Sequence, residues 1–476
     1  MKKLLLILSI VSVLGIISCD DKLDLEPWQN SSTEGVFKTI DDFDNGIRGI
    51  YRELMDAGAY GGYLFIYPDV SADNLIQCRD GRLTLTDFQN WSYASDHYIP
   101  IGIWTDFYDA INNCNLVISN LKDFEVSASD QVYKNQYLGE AYALRALMHF
   151  ELAKVFGKAY SQATASDLGV PYMKESAVIT PARETLISNY QNIVADLTAA
   201  LPLVTLDEGR FRMSPAAVNA IFAQVDLEMG NYDDAITHAT ACLDDRPICP
   251  LASFNGIWTD DVAAGGVLYV QITELNGITL GTNYSQTSSA GTKSEYVVDY
   301  ELYQQYAPND IRRGAYFITG AFNGTFYNHI EKYMRKTGAN TPDMVDLKVI
   351  RAAEVLLIRA EAYYRDGNEV GALADLNALR SERYSGFSDG AETGTALLNE
   401  ILLQRRLELA FEGDRLFTLK RLGLGVSRNG TYGDHADGTG DTYNFLTLPA
   451  DDYRFELPIP LAEMNSNPNM EQNPGY

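Results

Sequence analysis

Few segments of this chain have the residue types and spacing that catalysis requires. Residues 386–390 fit the letters GxSxG, but a helical pattern precedes them, whereas a nucleophilic serine of that kind lies between a strand and a helix. The five histidines are scattered and lack the spacing of a metal site. The 64 acidic residues include no pair that spacing selects for glycoside hydrolysis. The sequence therefore predicts no catalytic residue, no metal site and no cofactor.

The N-terminal segment indicates a covalent modification. Two lysines precede an apolar run over residues 4–17, which Ser18 and Cys19 follow directly. This order is typical of an export signal, and the run is shorter than the roughly 20 apolar residues that cross a bilayer. The residues before Cys19 resemble the lipobox of bacterial lipoproteins, which implies removal of residues 1–18 and lipidation of Cys19. The alternative is plain secretion with cleavage near Ser18.

Composition limits the partners of the chain. The 476 residues are 46% hydrophobic, enough for a sizeable core. The formal net charge of -27 argues against a nucleic-acid partner, because phosphates require clustered Lys and Arg. The four cysteines after Cys19 form no CxxC pair, which disfavours metal knuckles and redox motifs. Cys242 and Cys249 could bridge, or all four could be small buried thiols, and both interpretations stay open.

Helical patterning predicts a scaffold of helix pairs. Ser214 and Pro215 are typical of a helix start, and Gly230 of its end. The pair that follows is similar to a tetratricopeptide repeat. The positions that match the spacings of that repeat are Ala223, Gly230, Tyr232, Ala235 and Pro247. A second copy is marked by Ala353, Ala360, Gly367 and Ala372.

The predicted fold class is mostly α, with a tetratricopeptide-like scaffold that carries large irregular insertions. Residues 19–32 are interpreted as a polar tether, and residues 33–476 as one domain. Helices are expected at about 33–57, 101–157, 183–245 and 345–425, and insertions at about 58–100, 245–345 and 426–476. Loops of this length inside a compact protein usually carry function.

Four groups of residues resemble the SusD/RagB family of outer-membrane nutrient-binding lipoproteins. They are residues 19–24 with Pro27, residues 142–157, residues 405–415 with their continuation to 421, and residues 457–476. In this order they span nearly the whole chain. Thr418 departs from the family, which usually has Asp there, and this puts one local hydrogen bond in doubt.

The resemblance implies a SusD-like fold, a lipid anchor and exposure at the outer face of an outer membrane. It further implies capture of an oligo- or polysaccharide without cleavage. The protein would deliver that glycan to a TonB-dependent, SusC-like transporter, for which it would act as the extracellular lid. Arg405, Glu408, Glu412 and Arg415 alternate in charge at helical spacing, so we interpret them as a structural ion-pair network rather than as catalysts.

Glycan capture requires aromatic platforms and polar side chains that bind hydroxyls. The predicted platforms are Trp91, Tyr93, Trp258 and Tyr284, and the predicted polar contacts are Asn74 and Arg82. For each aromatic residue the alternative is ordinary packing. For the whole protein the alternatives are a lid that binds peptide or another nutrient, a repeat scaffold that contacts only protein, and a hydrolase.

Overall fold

The structure is a computed structural model that describes residues 36–334 and 336–476. The predicted signal peptide, Cys19 and the tether lie outside these residues. The helices are α1 Ile40–Glu53, α2 Tyr63–Ser71, α3 Thr86–Gln89, α4 Tyr98–Lys122, α5 Gln131–Phe156, α6 Leu186–Ala200, α7 Pro215–Met229, α8 Tyr232–Asp245, α9 Asn255–Trp258, α10 Tyr300–Gln305, α11 Ile311–Tyr316, α12 Ala352–Arg365, α13 Glu369–Ser381, α14 Gly394–Glu408, α15 Arg415–Arg421 and α16 Leu461–Ser466. The prediction of a mostly α fold is confirmed.

The strands are short and lie mostly in the insertions. They are β1 Leu75–Gln77, β2 Gly266–Val270, β3 Ser285–Ser288, β4 Gly291–Ser294, β5 Tyr296–Val298, β6 Phe317–Phe322, β7 Thr325–Ile330, β8 Leu347–Arg351, β9 Val426–Ser427 and β10 Thr447–Leu448. One antiparallel sheet has the order β1-β5-β7-β6. Since β1 belongs to the first predicted insertion and β5 to the second, this sheet joins the two insertions. Strands of two to six residues carry too little periodicity to be recognised in sequence, which is why these insertions were expected to be irregular.

Two helix pairs show the repeat chemistry clearly. The Ser214 hydroxyl accepts a hydrogen bond from the backbone N–H of Ala217 at 3.2 Å, and Pro215 is the first helical residue of α7. Gly230 ends α7 with φ of +77°, in the left-handed region that glycine adopts without strain. Gly367, with φ of +85°, makes the same turn between α12 and α13. The predicted caps of α7 are therefore confirmed.

The core runs through the scaffold. The small Ala223 is fully buried and lets α7 and α8 approach closely. Helix α8 also packs on α12, so neighbouring pairs cover one another. All four cysteines of the described residues are buried and unpaired, which selects buried thiols over a Cys242–Cys249 bridge. In the described part of the chain, no helix combines the length and the apolar character that a membrane span requires.

Candidate functional site

The carboxyl end of α14 is the point where scaffold and insertions meet. A helix leaves its last carbonyls without partners inside the helix. Here tyrosine hydroxyls from the second insertion donate to the last two carbonyls of α14: Tyr306 to Leu407 O at 2.8 Å and Tyr316 to Glu408 O at 3.0 Å. Just beyond the helix, both Tyr284 and Tyr333 donate to Phe411 O at 2.9 Å. We name residues 407–412 and the groups that bind them the α14 hub.

Buried cations complete the hub. Lys332 Nζ donates to Ala410 O at 2.7 Å and to Glu412 Oε1 at 2.7 Å. Burial lowers the pKa of this lysine to about 8, while the charge of Glu412 opposes that change. Arg351 binds both Glu412 and the Glu408 carbonyl. Positive charge at a helix carboxyl end is favourable, because it opposes the helix dipole.

The Glu408 side chain lies at the centre of the hub and is fully buried. Its carboxylate accepts from Arg383 at 2.8 and 3.0 Å, from Arg351 at 2.8 Å and from Arg312 at 3.4 Å. Although burial alone would raise the pKa of Glu408, these guanidinium groups hold it well below its usual range. A carboxylate enclosed in this way is a structural anchor with no access to a ligand.

The remaining signature residues also form ion pairs, as predicted. Arg405 Nε donates to Asp414 Oδ1 at 3.0 Å and to Thr418 Oγ1 at 3.1 Å. The Thr418 hydroxyl in turn donates to Asp414 at 2.9 Å, so threonine keeps a hydrogen bond at the position where the family usually has Asp. Arg415 binds Asp73 through two bonds of 2.7 and 2.9 Å.

Two of the predicted platforms, Trp258 and Tyr284, are part of the hub rather than of the surface. Trp258 is 4% exposed, and Lys332 Nζ lies 4.5 Å and Arg351 Cζ 5.2 Å from its ring centroid. Tyr284 is 1% exposed, and its ring packs on Tyr333 at 5.5 Å. Protein groups cover both rings, so neither presents a face on which a sugar could stack.

The other two predicted platforms are also buried. Trp91 is 4% exposed, its Nε1 donates to Ser71 O at 2.9 Å, and Arg428 Cζ lies 4.1 Å from its ring centroid. Tyr93 stacks on Phe88 with ring centroids 4.3 Å apart. In this structure these aromatics are packing residues, which is the alternative that the sequence left open.

The predicted polar contacts differ from each other. Asn74 is buried, and both ends of its amide are engaged: Nδ2 donates to Asp69 at 3.0 Å and Oδ1 accepts from Arg406 at 2.9 Å. Burial raises the pKa of Asp69 to about 7. Arg82 has a side chain that is 46% exposed, and it pairs with the buried Glu295 at 2.5 Å. Of the six predicted residues, Arg82 is the one that reaches solvent substantially.

A partly exposed aromatic pair lies at the start of α4. Tyr98, the first residue of α4, is 49% exposed, and its ring centroid is 5.6 Å from that of Tyr63. Gly102 makes this possible: a Cβ there would lie 2.8 Å from Cε2 of Tyr63, so only glycine leaves room for the Tyr63 ring on α4. The His97 ring, paired with Asp87 at 2.9 Å, supports Tyr98 at 4.2 Å. We name this surface the Tyr63–Tyr98 face.

Polar groups border the Tyr63–Tyr98 face. Arg82 Nη2 donates to Thr282 O at 3.4 Å. Asn283 follows Thr282, and its Nδ2 would lie 3.5 Å from a Cβ on Gly62. Leu83 is 50% exposed and has φ of +58°, a strained conformation for leucine that clusters at binding sites. Thr282 and Asn283 of the second insertion therefore link Arg82 to Gly62, the residue that precedes Tyr63.

This arrangement has the chemistry that binds a flat, hydroxylated molecule. A tyrosine ring supplies apolar area for the C–H face of such a ligand, and guanidinium and amide groups bind its hydroxyls. The sequence placed Arg82 and Tyr98 in one segment but selected Trp91 and Tyr93 from it. The spacing of Tyr98, Gly102 and Asp106 on one helix face was the signal that could have favoured Tyr98.

Helix pairs that carry long, sheet-joined insertions define a helical-repeat protein. The SusD family model matches residues 271–476, and a second model, described as starch-binding and associating with the outer membrane, matches residues 23–227. A curated relative, SusD-like protein P2 of Formosa agariphila, is 26% identical, with 98% of each chain covered. The chain belongs to the SusD family.

Solved structures agree with this assignment. A SusD superfamily protein from Bacteroides thetaiotaomicron has a TM-score of 0.80 at 24% identity, with 92% of this chain and 100% of that chain covered. A laminarin-binding SusD-like protein has a TM-score of 0.72 at 20% identity, with 92% and 100% covered. At these identities the likeness concerns the fold.

Proposed function

We propose that this protein is a cell-surface lipoprotein that captures an oligo- or polysaccharide and delivers it, without cleaving it, to a TonB-dependent outer-membrane transporter. In that arrangement the protein is the extracellular lid of the transporter, held to the outer membrane by lipid on Cys19. The observation that carries the proposal is the Tyr63–Tyr98 face, where Tyr98 exposes aromatic area and where Arg82 reaches Thr282, whose neighbour Asn283 lies near Gly62, the residue before Tyr63. The starch-binding description of the matching family model and the laminarin-binding structural neighbour support a carbohydrate ligand.

The experiment that tests glycan capture is affinity electrophoresis across plant, host and microbial polysaccharides, followed by calorimetry with the best ligand. We expect Tyr98→Ala to weaken binding about tenfold, which corresponds to about 1.4 kcal/mol, because an aromatic contact of this kind contributes about that much. Assay of the same mixtures for new reducing ends should find none. Release of reducing ends would overturn the assignment as a binding protein.

A matched control is available on the same helix hairpin. Tyr133 is 42% exposed and packs on Tyr137 at 6.3 Å, much as Tyr98 packs on Tyr63. It lies near the far end of the 25-residue α4, since Lys134 donates to Lys122 O at 3.1 Å; that end is about 36 Å from Tyr98. Tyr133→Ala should leave affinity unchanged. Equal losses in both variants, or none in either, would remove Tyr98 from the site.

Delivery to a transporter requires its own test. Co-purification from outer membranes with a tag on the chain should recover a barrel transporter, and a Cys19→Ala variant should lose the membrane fraction. Recovery of the unlipidated chain from the periplasm, with no barrel attached, would contradict both the anchor and the lid.

A further inference from the structure

The helix that carries Tyr98 presents acidic residues along the same side. Tyr98, Gly102, Asp106 and Asp109 follow one another at helical spacing, so they share one face of α4. Tyr63 lies on Gly102 between Tyr98 and Asp106. A glycan chain that passes from Tyr98 over Tyr63 therefore reaches these carboxylates within about 12–17 Å along the helix.

Further carboxylates reinforce this acidic side. Asp106 Oδ2 accepts from the Gly58 N–H at 2.7 Å, in the turn after α1. Burial raises the pKa of Asp106, and the charges of Asp56 and Asp109 raise it further. Burial also raises the pKa of Glu53, and the charges of Asp56 and Asp109 raise it further. These carboxylates are thus close enough to repel one another.

The cations of this region do not balance the acidic side. Arg52 is paired with Asp56 at 2.7 Å, and Arg82 is paired with Glu295 at 2.5 Å. Lys293, on β4 opposite Gln286, is a third cation and lies on the Arg82 side of the face. At the α4 side the carboxylates outnumber the cations, and the field there is negative.

We propose that the Tyr63–Tyr98 face selects uncharged glycans and rejects glycans that carry carboxylate or sulfate groups. This inference rests on the proposed function and names the substrate class of the same site. Rejection arises from like-charge repulsion at Asp106 and Asp109, while stacking on tyrosine is indifferent to charge.

The test compares one polysaccharide backbone in two forms. The best neutral ligand of the panel is measured beside its carboxymethylated and sulfated derivatives, at low salt and at 0.5 M salt. We expect the charged forms to bind at least tenfold more weakly at low salt, and the gap to narrow at high salt, because the Debye length falls well below its value of about 10 Å at 0.1 M.

Charge variants assign the effect to named residues. An Asp106→Asn/Asp109→Asn double variant should narrow the affinity difference between the neutral and charged forms at least threefold. Asp109 is exposed, so the single Asp109→Asn change leaves the packing intact. It should also narrow the affinity difference between the neutral and charged forms. Asp233→Asn, the same charge change on the exposed face of α8, is the control and should leave the gap intact.

The outcomes separate the two proposals. Equal or tighter binding of the charged forms at low salt, or a gap that the Asp106 and Asp109 variants do not alter, would overturn the selectivity while glycan capture stands. Binding of neither form, from any member of the panel, would overturn glycan capture itself and with it this inference.

Discussion

The Glu408→Gln change tests whether the α14 hub holds the fold together. It keeps the shape of the side chain and removes one fully buried negative charge that Arg312, Arg351 and Arg383 share. The NH₂ group of glutamine would also face the guanidinium N–H groups, which are donors too. Removing one partner of a buried ion pair costs about 3–5 kcal/mol, because the partner charges stay buried without compensation. We expect the free energy of unfolding to fall by that amount.

Urea unfolding, followed by tryptophan fluorescence and by circular dichroism, measures this loss. Trp258 is a local reporter, since the Arg351 guanidinium lies 5.2 Å from its ring. The control is Glu400→Gln on the same helix, where the carboxylate is 25% exposed and lies 3.6 Å from Arg380. Although Arg380 is mostly buried, the Glu400 carboxylate keeps access to water, so this pair contributes about 1 kcal/mol.

Unfolding at high salt distinguishes Glu408→Gln from Glu400→Gln further. A buried pair is screened little, so the Glu408→Gln loss should persist in 1 M NaCl. Equal shifts of the unfolding midpoint in the two variants, or a loss below about 1 kcal/mol for Glu408→Gln, would refute the reasoning that this carboxylate organises the hub.

Three further predictions concern stability. Both ring nitrogens of His149 are hydrogen-bonded inside the core, and burial lowers the pKa of this histidine to about 3. The neutral ring therefore contributes stability that is complete above pH 6.5 and is lost as the pH falls, by about 2 kcal/mol at pH 5. The difference in unfolding free energy between the native chain and His149→Phe should shrink by that amount between pH 7 and pH 5, and a constant difference would contradict this prediction. Tyr284→Phe should cost about 1–2 kcal/mol in urea unfolding, because Phe411 O and a second buried carbonyl each lose a donor; an unchanged midpoint would exclude this bond from the hub. Gly413 has φ of +75°, and a Cβ there would lie 2.2 Å from a backbone oxygen, so Gly413→Ala should lower the free energy of unfolding by at least about 2 kcal/mol. Gly367 has φ of +85° but lies in open space, so Gly367→Ala should lower it by about 1 kcal/mol. Similar melting temperatures for the two variants would show that the close contact at Gly413 is harmless.

Much of the scaffold was predictable from the sequence because its signals are local. Ser214 as N-cap and Gly230 as C-cap act on adjacent backbone groups, so their roles can be read from neighbouring residues. The ion pairing of Arg405 and Arg415 was likewise predictable, because alternating charges at helical spacing favour such networks. The partners were not, since Asp73 is more than 300 residues from Arg415 and only the fold brings them together.

The binding surface was harder to predict for a physical reason. Trp91 and Tyr98 lie seven residues apart and have similar chemistry, yet one is buried under Arg428 and the other is half exposed. An aromatic ring with a polar tip satisfies a buried carbonyl as well as it binds a sugar, so residue type does not separate the two uses. What decides is the tertiary surroundings: the distant Arg428 covers Trp91, whereas Gly102 leaves room for the Tyr63 ring that Tyr98 contacts.

The α14 hub binds the second insertion through main-chain oxygens, and a carbonyl is the same whichever side chain its residue carries. Tyr284 and Tyr333 thus anchor the ends of a segment whose intervening turn, residues 287–290, is exposed. A turn of different length or sequence could replace residues 287–290 without altering the helices beneath. The architecture is in this respect a modular frame, in which a surface turn is exchangeable while the support stays constant.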